Sequence, residues 1–228
     1  MAQIFHRSMN TLARASILGA MLLVGGLGWA AHTLDRSSYN TEQHLVRDQP
    51  VPFSHEHHVA GLGIDCRYCH TSVENSAFAN IPPTKTCMTC HSQIWTNAEV
   101  LKPVRDSWAS GKAIEWTRVH NLPDFVYFNH SIHVAKGVAC ATCHGQIDRM
   151  PLTYQAHSMT MSWCLDCHKA PENYIRPRER VYDMHFDLQA YLKATGQPAM
   201  SQKDFGLKLV EEYDIKKAQL INCSICHR

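Results

Sequence analysis

The sequence Cys-x-x-Cys-His occurs five times in this chain of 228 residues, and the five copies use all ten cysteines. Two thiols followed by a histidine form the attachment motif of haem c, in which the thiols bond covalently to the porphyrin and the histidine binds its iron. Neither structural zinc nor a disulfide framework explains five identical copies with no cysteine left over. The motifs therefore predict five covalently bound haem c groups. The predicted attachment residues are Cys66, Cys69, Cys87, Cys90, Cys140, Cys143, Cys164, Cys167, Cys223 and Cys226, and the predicted proximal ligands are His70, His91, His144, His168 and His227.

The density of these motifs limits the fold. Beyond residue 35 there is one motif for roughly every 39 residues, so porphyrin rings must supply much of the hydrophobic interior. We expect a mainly α fold with little regular secondary structure, in which short helices and loops surround the cofactors. The formal charge of +2 omits the haem propionates, so it excludes no class of partner. No basic run interleaved with aromatic residues suggests a nucleic-acid partner.

The amino terminus contains an apolar segment at residues 15–31, preceded by Arg7 and Arg14. Extended to residues 12–34, it is long enough to span a membrane as one helix. We expect it to be retained as a transmembrane anchor, with a cleaved signal peptide as the alternative. The two arginines predict a cytoplasmic amino terminus. Residues 1–35 would then form the cytoplasmic tip and anchor, and residues 36–228 a haem domain on the periplasmic side of a bacterial cytoplasmic membrane.

A sequence repeat precedes the first and third motifs. Phe-x-His-x-x-His occurs at Phe53 and again at Phe128, 75 positions later. Two repeat units, about 50–95 and 125–172, each combine this element with two haem motifs, and the extension 173–228 carries the fifth. Histidines three positions apart lie on one face of a helical turn, so a single turn can supply two neighbouring irons. The predicted distal ligands are His55, His58, His130 and His133.

The fifth iron needs a distal ligand from outside the repeats. His120, between the two units, is our first candidate, and Met161, three residues before Cys164, is its rival. A methionine ligand would raise the reduction potential relative to two histidines. His157 and His185 are weaker candidates. The remaining histidines are not expected to bind iron: His6, His32, His44 and His57.

Local patterns predict several further elements. Asn97 is a candidate cap for a helix ending at about Ser110, bent at Pro103, with Gly111 beyond its end. We expect a short hairpin within residues 114–128 and an extended basic connector at 171–182. Helices are expected at 186–194 and 203–219, the second with three apolar side chains on one face: Phe205, Leu209 and Tyr213.

Four stretches of this chain resemble the membrane-anchored pentahaem cytochrome c subunit of alternative complex III, a bacterial quinol oxidoreductase. They are FSHEHHVAGLGIDCRYCH (53–70), IPPTKTCMTCHSQI (81–94), VHNLPDFVYFNHSIHVAKGVACATCHG (119–145) and residues 223–228. The Phe-x-His-x-x-His units alone resemble the wider class III-like multihaem cytochromes. The closer resemblance implies one amino-terminal transmembrane helix and a periplasmic haem domain. It also implies partners: an iron–sulfur and molybdopterin-enzyme-like subunit, polytopic quinol-binding membrane subunits, and a monohaem cytochrome c.

These features favour an electron-transfer subunit that carries electrons from quinol oxidation to a cytochrome c or a terminal oxidase. The alternative is a stand-alone, membrane-anchored multihaem quinol dehydrogenase that feeds a periplasmic reductase. A catalytic multihaem enzyme, such as a nitrite reductase, needs an iron with an open position, often through lysine in place of the motif histidine. All five motifs here end in histidine. We therefore expect no catalytic residues and no enzymatic activity of the chain on its own.

Overall fold

The computed structural model describes residues 4–227, which form short helices joined by long irregular segments. Within these residues the only β pairing consists of two isolated bridges, Val46–Tyr154 and Val138–Ile175. The expectation of a mainly α protein with little regular structure is confirmed. The α-helices are α1 (Ser8–Asp35), α2 (Ser38–Thr41), α3 (Cys66–Cys69), α4 (Thr84–His91), α5 (Lys102–Ser110), α6 (His130–Ala135), α7 (Cys140–His144), α8 (Met161–Lys169), α9 (Leu188–Ala194) and α10 (Gln202–Glu212). A π-helical turn spans Glu56–Gly61, and 3-10 turns span Glu99–Leu101, Ile147–Arg149, Pro171–Asn173, Arg178–Arg180, Lys217–Gln219 and Cys223–Ile225.

Helix α1 extends away from the rest of the chain. It has 28 residues, none of them buried, and a length of about 42 Å at 1.5 Å per residue. Within residues 4–227 it is the one helix long and apolar enough to cross a membrane. Its length and composition suit either an anchor or a signal sequence.

The apolar core is divided into two small clusters. The larger one contains Ile175, Leu192, Phe205, Leu209 and Tyr213 and lies between the fourth and fifth motifs in sequence. The smaller one contains Val51, Leu101 and Val104, next to the second motif. Neither cluster includes a motif histidine, although Cys87 of the second motif packs against the smaller one.

One close backbone approach fixes the larger cluster. Helix α10 packs on the 3-10 turn Pro171–Asn173 at Gly206, where a Cβ atom would lie 1.9 Å from the carbonyl oxygen of Glu172. A side chain is excluded at this position. The predicted apolar face of this helix is confirmed, because Phe205, Leu209 and Tyr213 are all buried.

Several boundaries differ from the sequence expectations. The helix expected from Asn97 begins at Lys102, because Pro103 fits the first turn, where its missing N–H is not needed. It ends before Gly111 as predicted, with φ +70° at the glycine. The expected bend at Pro103 is therefore wrong. The helix expected over 203–219 ends at Glu212, and Asp214 follows in a left-handed conformation with φ +50°.

Two extended elements expected from the sequence are wrong. Residues 114–128 form no hairpin, and their backbone amides bond instead to turns and to a distant segment, as in Tyr127 N–H to the carbonyl of Cys226 at 2.8 Å. The segment 171–182 is not an extended connector, because it folds into two 3-10 turns. In the first segment a long-range contact replaces the expected strand pairing, and in the second local turn bonds such as Arg180 N–H to the carbonyl of Pro177 fold the chain.

Candidate haem sites

Each Cys-x-x-Cys-His motif forms a helical turn that brings its two thiols and its histidine onto one short segment. The first motif follows Asp65, whose carboxylate caps α3 by accepting from the backbone N–H of Arg67 at 2.8 Å. The second and fourth motifs lie in α4 and α8, the third is α7, and the fifth is the 3-10 turn Cys223–Ile225. The motif sequence thus folds locally into the same compact shape five times.

The first repeat turn places a histidine opposite each of the first two motif histidines. The rings of His55 and His70 have centroids 6.5 Å apart and planes inclined by 10°. The rings of His58 and His91 have centroids 6.3 Å apart and planes inclined by 69°. Phe53 lies between the two distal candidates, stacked on His58 at 4.4 Å and edge-on to His55 at 5.0 Å.

The second repeat turn has the same arrangement. His130 faces His144 at 6.4 Å with an angle of 7°, and His133 faces His168 at 6.2 Å with an angle of 31°. Phe128 contacts both distal candidates as Phe53 does, at 4.6 Å from His133 and 4.8 Å from His130. Asn129 begins this turn by accepting from the backbone N–H of Ser131 at 2.9 Å.

The spacing of these four pairs fits a metal ion between the rings. A metal–imidazole bond is about 2 Å long, and the ring centre lies about 1 Å beyond the nitrogen, so two rings on opposite sides of one metal have centroids about 6 Å apart. With a haem bound, the two imidazoles of each pair would be the residues that hold its iron. The donor set therefore fits bis-histidine haem at the first four motifs.

Hydrogen bonds occupy Nδ1 of the histidines, which leaves Nε2 free to bind a metal ion. His70 bonds the carbonyl of Asn80 at 2.7 Å, and His58 bonds that of Ser54 at 2.8 Å. His55 bonds the hydroxyl of Thr153 at 3.1 Å. Such outer contacts select the tautomer and orientation of a ligating histidine. The remaining Nδ1 contacts are His91 to Ile94, His130 to Ala77, His133 to Asn129, His168 to Leu220 and His227 to Phe125, all to carbonyl oxygens.

The fifth motif lacks a comparable histidine pair in the part of the chain that the structure describes. The aromatic ring beside His227 is that of Phe125, at 5.8 Å. Met161 begins α8 with 65% of its surface exposed. His157 stacks on Trp163 at 5.2 Å, and His185 bonds the carboxylate of Asp148 at 2.7 Å.

His120 lies at the third motif rather than the fifth. Its Nε2 is 3.2 Å from Nδ1 of His144, and the two ring centroids are 4.3 Å apart. The sequence made His120 a candidate ligand but did not predict this contact, because it joins two residues 24 positions apart through tertiary packing. The sequence also gives no signal for the groups that bond Nδ1 of the histidines, namely the Thr153 hydroxyl and the main-chain carbonyl oxygens.

Burial keeps the central imidazoles neutral. It lowers the pKa of His55 to about 4, helped by the neighbouring charges of His70 and His58. It lowers the pKa of His120 to about 4 as well, and that of His144 well below its usual range. Neutral imidazole is the form that binds iron, so the packing favours the ligating state.

Comparison with known proteins finds a multihaem cytochrome c among the relatives of this chain. The chain is 31% identical over 150 residues, covering 57% of this chain and 71% of the relative, to a protein of Nitratidesulfovibrio vulgaris described as the multihaem cytochrome c subunit of menaquinone reductase. The chain belongs to this family of multihaem cytochrome c subunits. No protein-family model matches it. Membership in a multihaem cytochrome c family carries covalently attached haem, as the cysteine motifs predict.

Proposed function

We propose that this cytochrome is the electron-transfer subunit of a membrane quinol:acceptor oxidoreductase of the alternative complex III type. Its five haem c groups would carry electrons from quinol oxidation to a cytochrome c or a terminal oxidase. The chain would attach the cofactors, supply axial ligands and hold neighbouring sites at fixed spacing. It would have no catalytic residues of its own.

The observation that carries this proposal is that the five motifs form one continuous row. His55 and His58 come from one turn and face the first and second motifs. The same two motifs touch directly where the hydroxyls of Tyr68 and Thr89 lie 2.9 Å apart. The first and second sites are therefore neighbours.

The first and third sites are joined across the two repeat units. The backbone N–H and Nδ1 of His130 both bond the carbonyl of Ala77, at 3.2 and 2.8 Å, in the loop that follows the first motif. The thiols of Cys66 and Cys140 interact, so the pKa of Cys66 is lowered to about 7 and that of Cys140 is raised.

The third and fourth sites share the turn of His130 and His133, as the first two share theirs. Burial, together with the nearby charge of Cys167 in the fourth motif, raises the pKa of the Cys143 thiol to about 12. These contacts make the third and fourth sites neighbours.

The fourth and fifth sites meet through the carboxyl-terminal segment. Nδ1 of His168 bonds the carbonyl of Leu220 at 2.8 Å, three residues before the fifth motif. Burial raises the pKa of Cys164, and the charge of Cys226 adds to it. The resulting order is second, first, third, fourth, fifth. A single unbranched row suits conduction between two separate partners, one at each end.

The membrane attachment and the partners follow from the same proposal. Helix α1 would anchor the chain in the cytoplasmic membrane of a bacterium, with the haem domain on the periplasmic side. Polytopic quinol-binding subunits would contact the anchor. An iron–sulfur and molybdopterin-enzyme-like subunit and a monohaem cytochrome c would complete the complex.

A second candidate is the reverse direction, in which electrons reach the quinone pool through this chain. The name of the relative, menaquinone reductase, favours this direction for that protein. The contacts between neighbouring sites do not fix the direction of electron flow, so the row is compatible with either direction. A stand-alone quinol dehydrogenase remains the alternative without partner subunits.

The test is gentle detergent extraction from native membranes, followed by mass spectrometry of the proteins that migrate with the haem-stained band. We expect an iron–sulfur subunit and polytopic membrane proteins in this band. The isolated complex is then mixed anaerobically with a reduced menaquinone analogue. Rapid haem reduction coupled to reduction of a cytochrome c supports the proposal. Haem oxidation by the oxidised analogue, without the forward reaction, favours the second candidate. A haem band that runs alone would mean that the chain has no partner subunits, which contradicts electron transfer within a complex in either direction.

A further inference from the structure

The hydrogen bond at the third motif differs from those at the other four. Among the motif histidines, four direct Nδ1 to a main-chain carbonyl oxygen. His144 instead has its Nδ1 3.2 Å from Nε2 of His120. The rings meet nearly edge-on, at 73°. At the third motif the hydrogen-bond partner of Nδ1 is therefore the side chain of His120, which can be changed by substitution, whereas at the other four motifs it is a main-chain carbonyl oxygen.

The direction of this hydrogen bond follows from the ligand role of His144. A neutral imidazole that binds metal through Nε2 carries its proton on Nδ1. His144 therefore donates, and Nε2 of His120 accepts. Because Nε2 of His120 is engaged by this proton, it is not directed at another iron.

We propose that His120 is a positioning residue that sets the orientation and donor strength of His144, and through it the reduction potential of the third haem. This inference rests on the proposed function, in which His144 is an axial ligand. An acceptor on Nδ1 makes a ligating imidazole more basic, and a more basic ligand favours oxidised iron. His120 thereby keeps the reduction potential of the third haem, in the middle of the row, below the value expected if Nδ1 of His144 had no acceptor.

The experiment is a potentiometric titration of the purified holoprotein, followed by visible and electron paramagnetic resonance spectroscopy. His120→Phe keeps a ring of similar volume but removes the acceptor. We expect five attached haems, the same number of low-spin haems as in the unmodified protein, and one of five redox components moved to higher potential. His120→Gln should restore the original potential, because its amide oxygen can accept from Nδ1. His44→Asn, at an exposed histidine away from the motifs, should leave all five unchanged.

Two results would overturn the inference. Five unchanged potentials in His120→Phe would mean that the contact does not tune His144. A new high-spin signal would mean that His120 binds an iron directly. If the His120→Phe protein does not attach five haems, the same potentiometric titration is carried out on the His120→Leu protein. Failure of the proposed function has a different signature: the unmodified protein would lack five haems or would exchange no electrons with a quinone.

Discussion

At the scale of single residues, the spacing of the histidines carries most of the predictable information. Histidines three positions apart in each repeat suggested two ligands from one turn, and the structure brings these four rings opposite four motif histidines at 6.2–6.5 Å. Their assignment as ligands is a proposal that spectroscopy can test. The contact of His120 with His144 was not predictable, since it joins residues 24 positions apart through tertiary packing.

Loss of one distal histidine should change one site only. We expect His133→Ala to leave five attached haems, because the thioethers do not depend on the distal ligand. One haem in five should become high-spin and bind carbon monoxide, since its sixth position is no longer filled. Electron paramagnetic resonance and carbon monoxide difference spectra measure this change. His57→Ala is the matched control, because His57 is exposed and stacks on Trp95 rather than on a motif histidine. Five low-spin haems in His133→Ala would contradict the assignment.

At the scale of elements, helices with clear caps and apolar faces were predictable, and segments shaped by distant contacts were not. Helix α9 begins at Leu188, within the range expected from the sequence, and the preceding Asp187 caps it by accepting from the backbone N–H of Ala190 at 2.7 Å. The segment 114–128 has aromatic residues typical of strands, but the Tyr127 amide bonds the carbonyl of Cys226. A single sequence does not show that the two segments meet.

The close approach of α10 to the turn Pro171–Asn173 gives a prediction at this scale. We expect Gly206→Ala to reduce the free energy of unfolding of the holoprotein by about 1–3 kcal/mol, because the new methyl group overpacks the backbone of Glu172. Denaturant unfolding followed by circular dichroism measures the change. Leu207→Ala, at a half-exposed position of the same helix, should change it by less than about 1 kcal/mol. Equal effects of the two substitutions would contradict the packing described here.

The role of α1 is a separate prediction. We expect the mature protein to retain residues 1–35, and therefore to stay in the membrane fraction after washing at alkaline pH. Replacing these residues with a cleaved secretion leader should release a soluble haem domain, since no buried contact ties α1 to the rest of the chain. Intact mass spectrometry and fractionation measure both results. A mature mass that lacks residues 1–35 would show instead that the segment is a signal peptide.

At the scale of the whole molecule, the order of the sites predicts how a break in the row affects conduction. Removing the third haem with Cys140→Ser and Cys143→Ser should separate the first two sites from the last two. In rapid mixing with the electron donor, we expect fast reduction of only two of the four remaining haems, because electron transfer across the gap becomes slow. Removing the fifth haem with Cys223→Ser and Cys226→Ser is the control. All four remaining haems should then react as one group, either fast or not at all. Fast reduction of all four haems in the first variant would contradict the order.

The shared turns have a consequence for how the protein is assembled. His55 and His58 are one turn apart, as are His130 and His133, so ordering either turn around one iron also presents a ligand to the next. The entropy of fixing that turn is lost once and serves two metal sites. We therefore expect distal ligation within each repeat to be cooperative, so that a chain lacking one haem of a repeat would bind the distal ligand of the neighbouring haem more weakly.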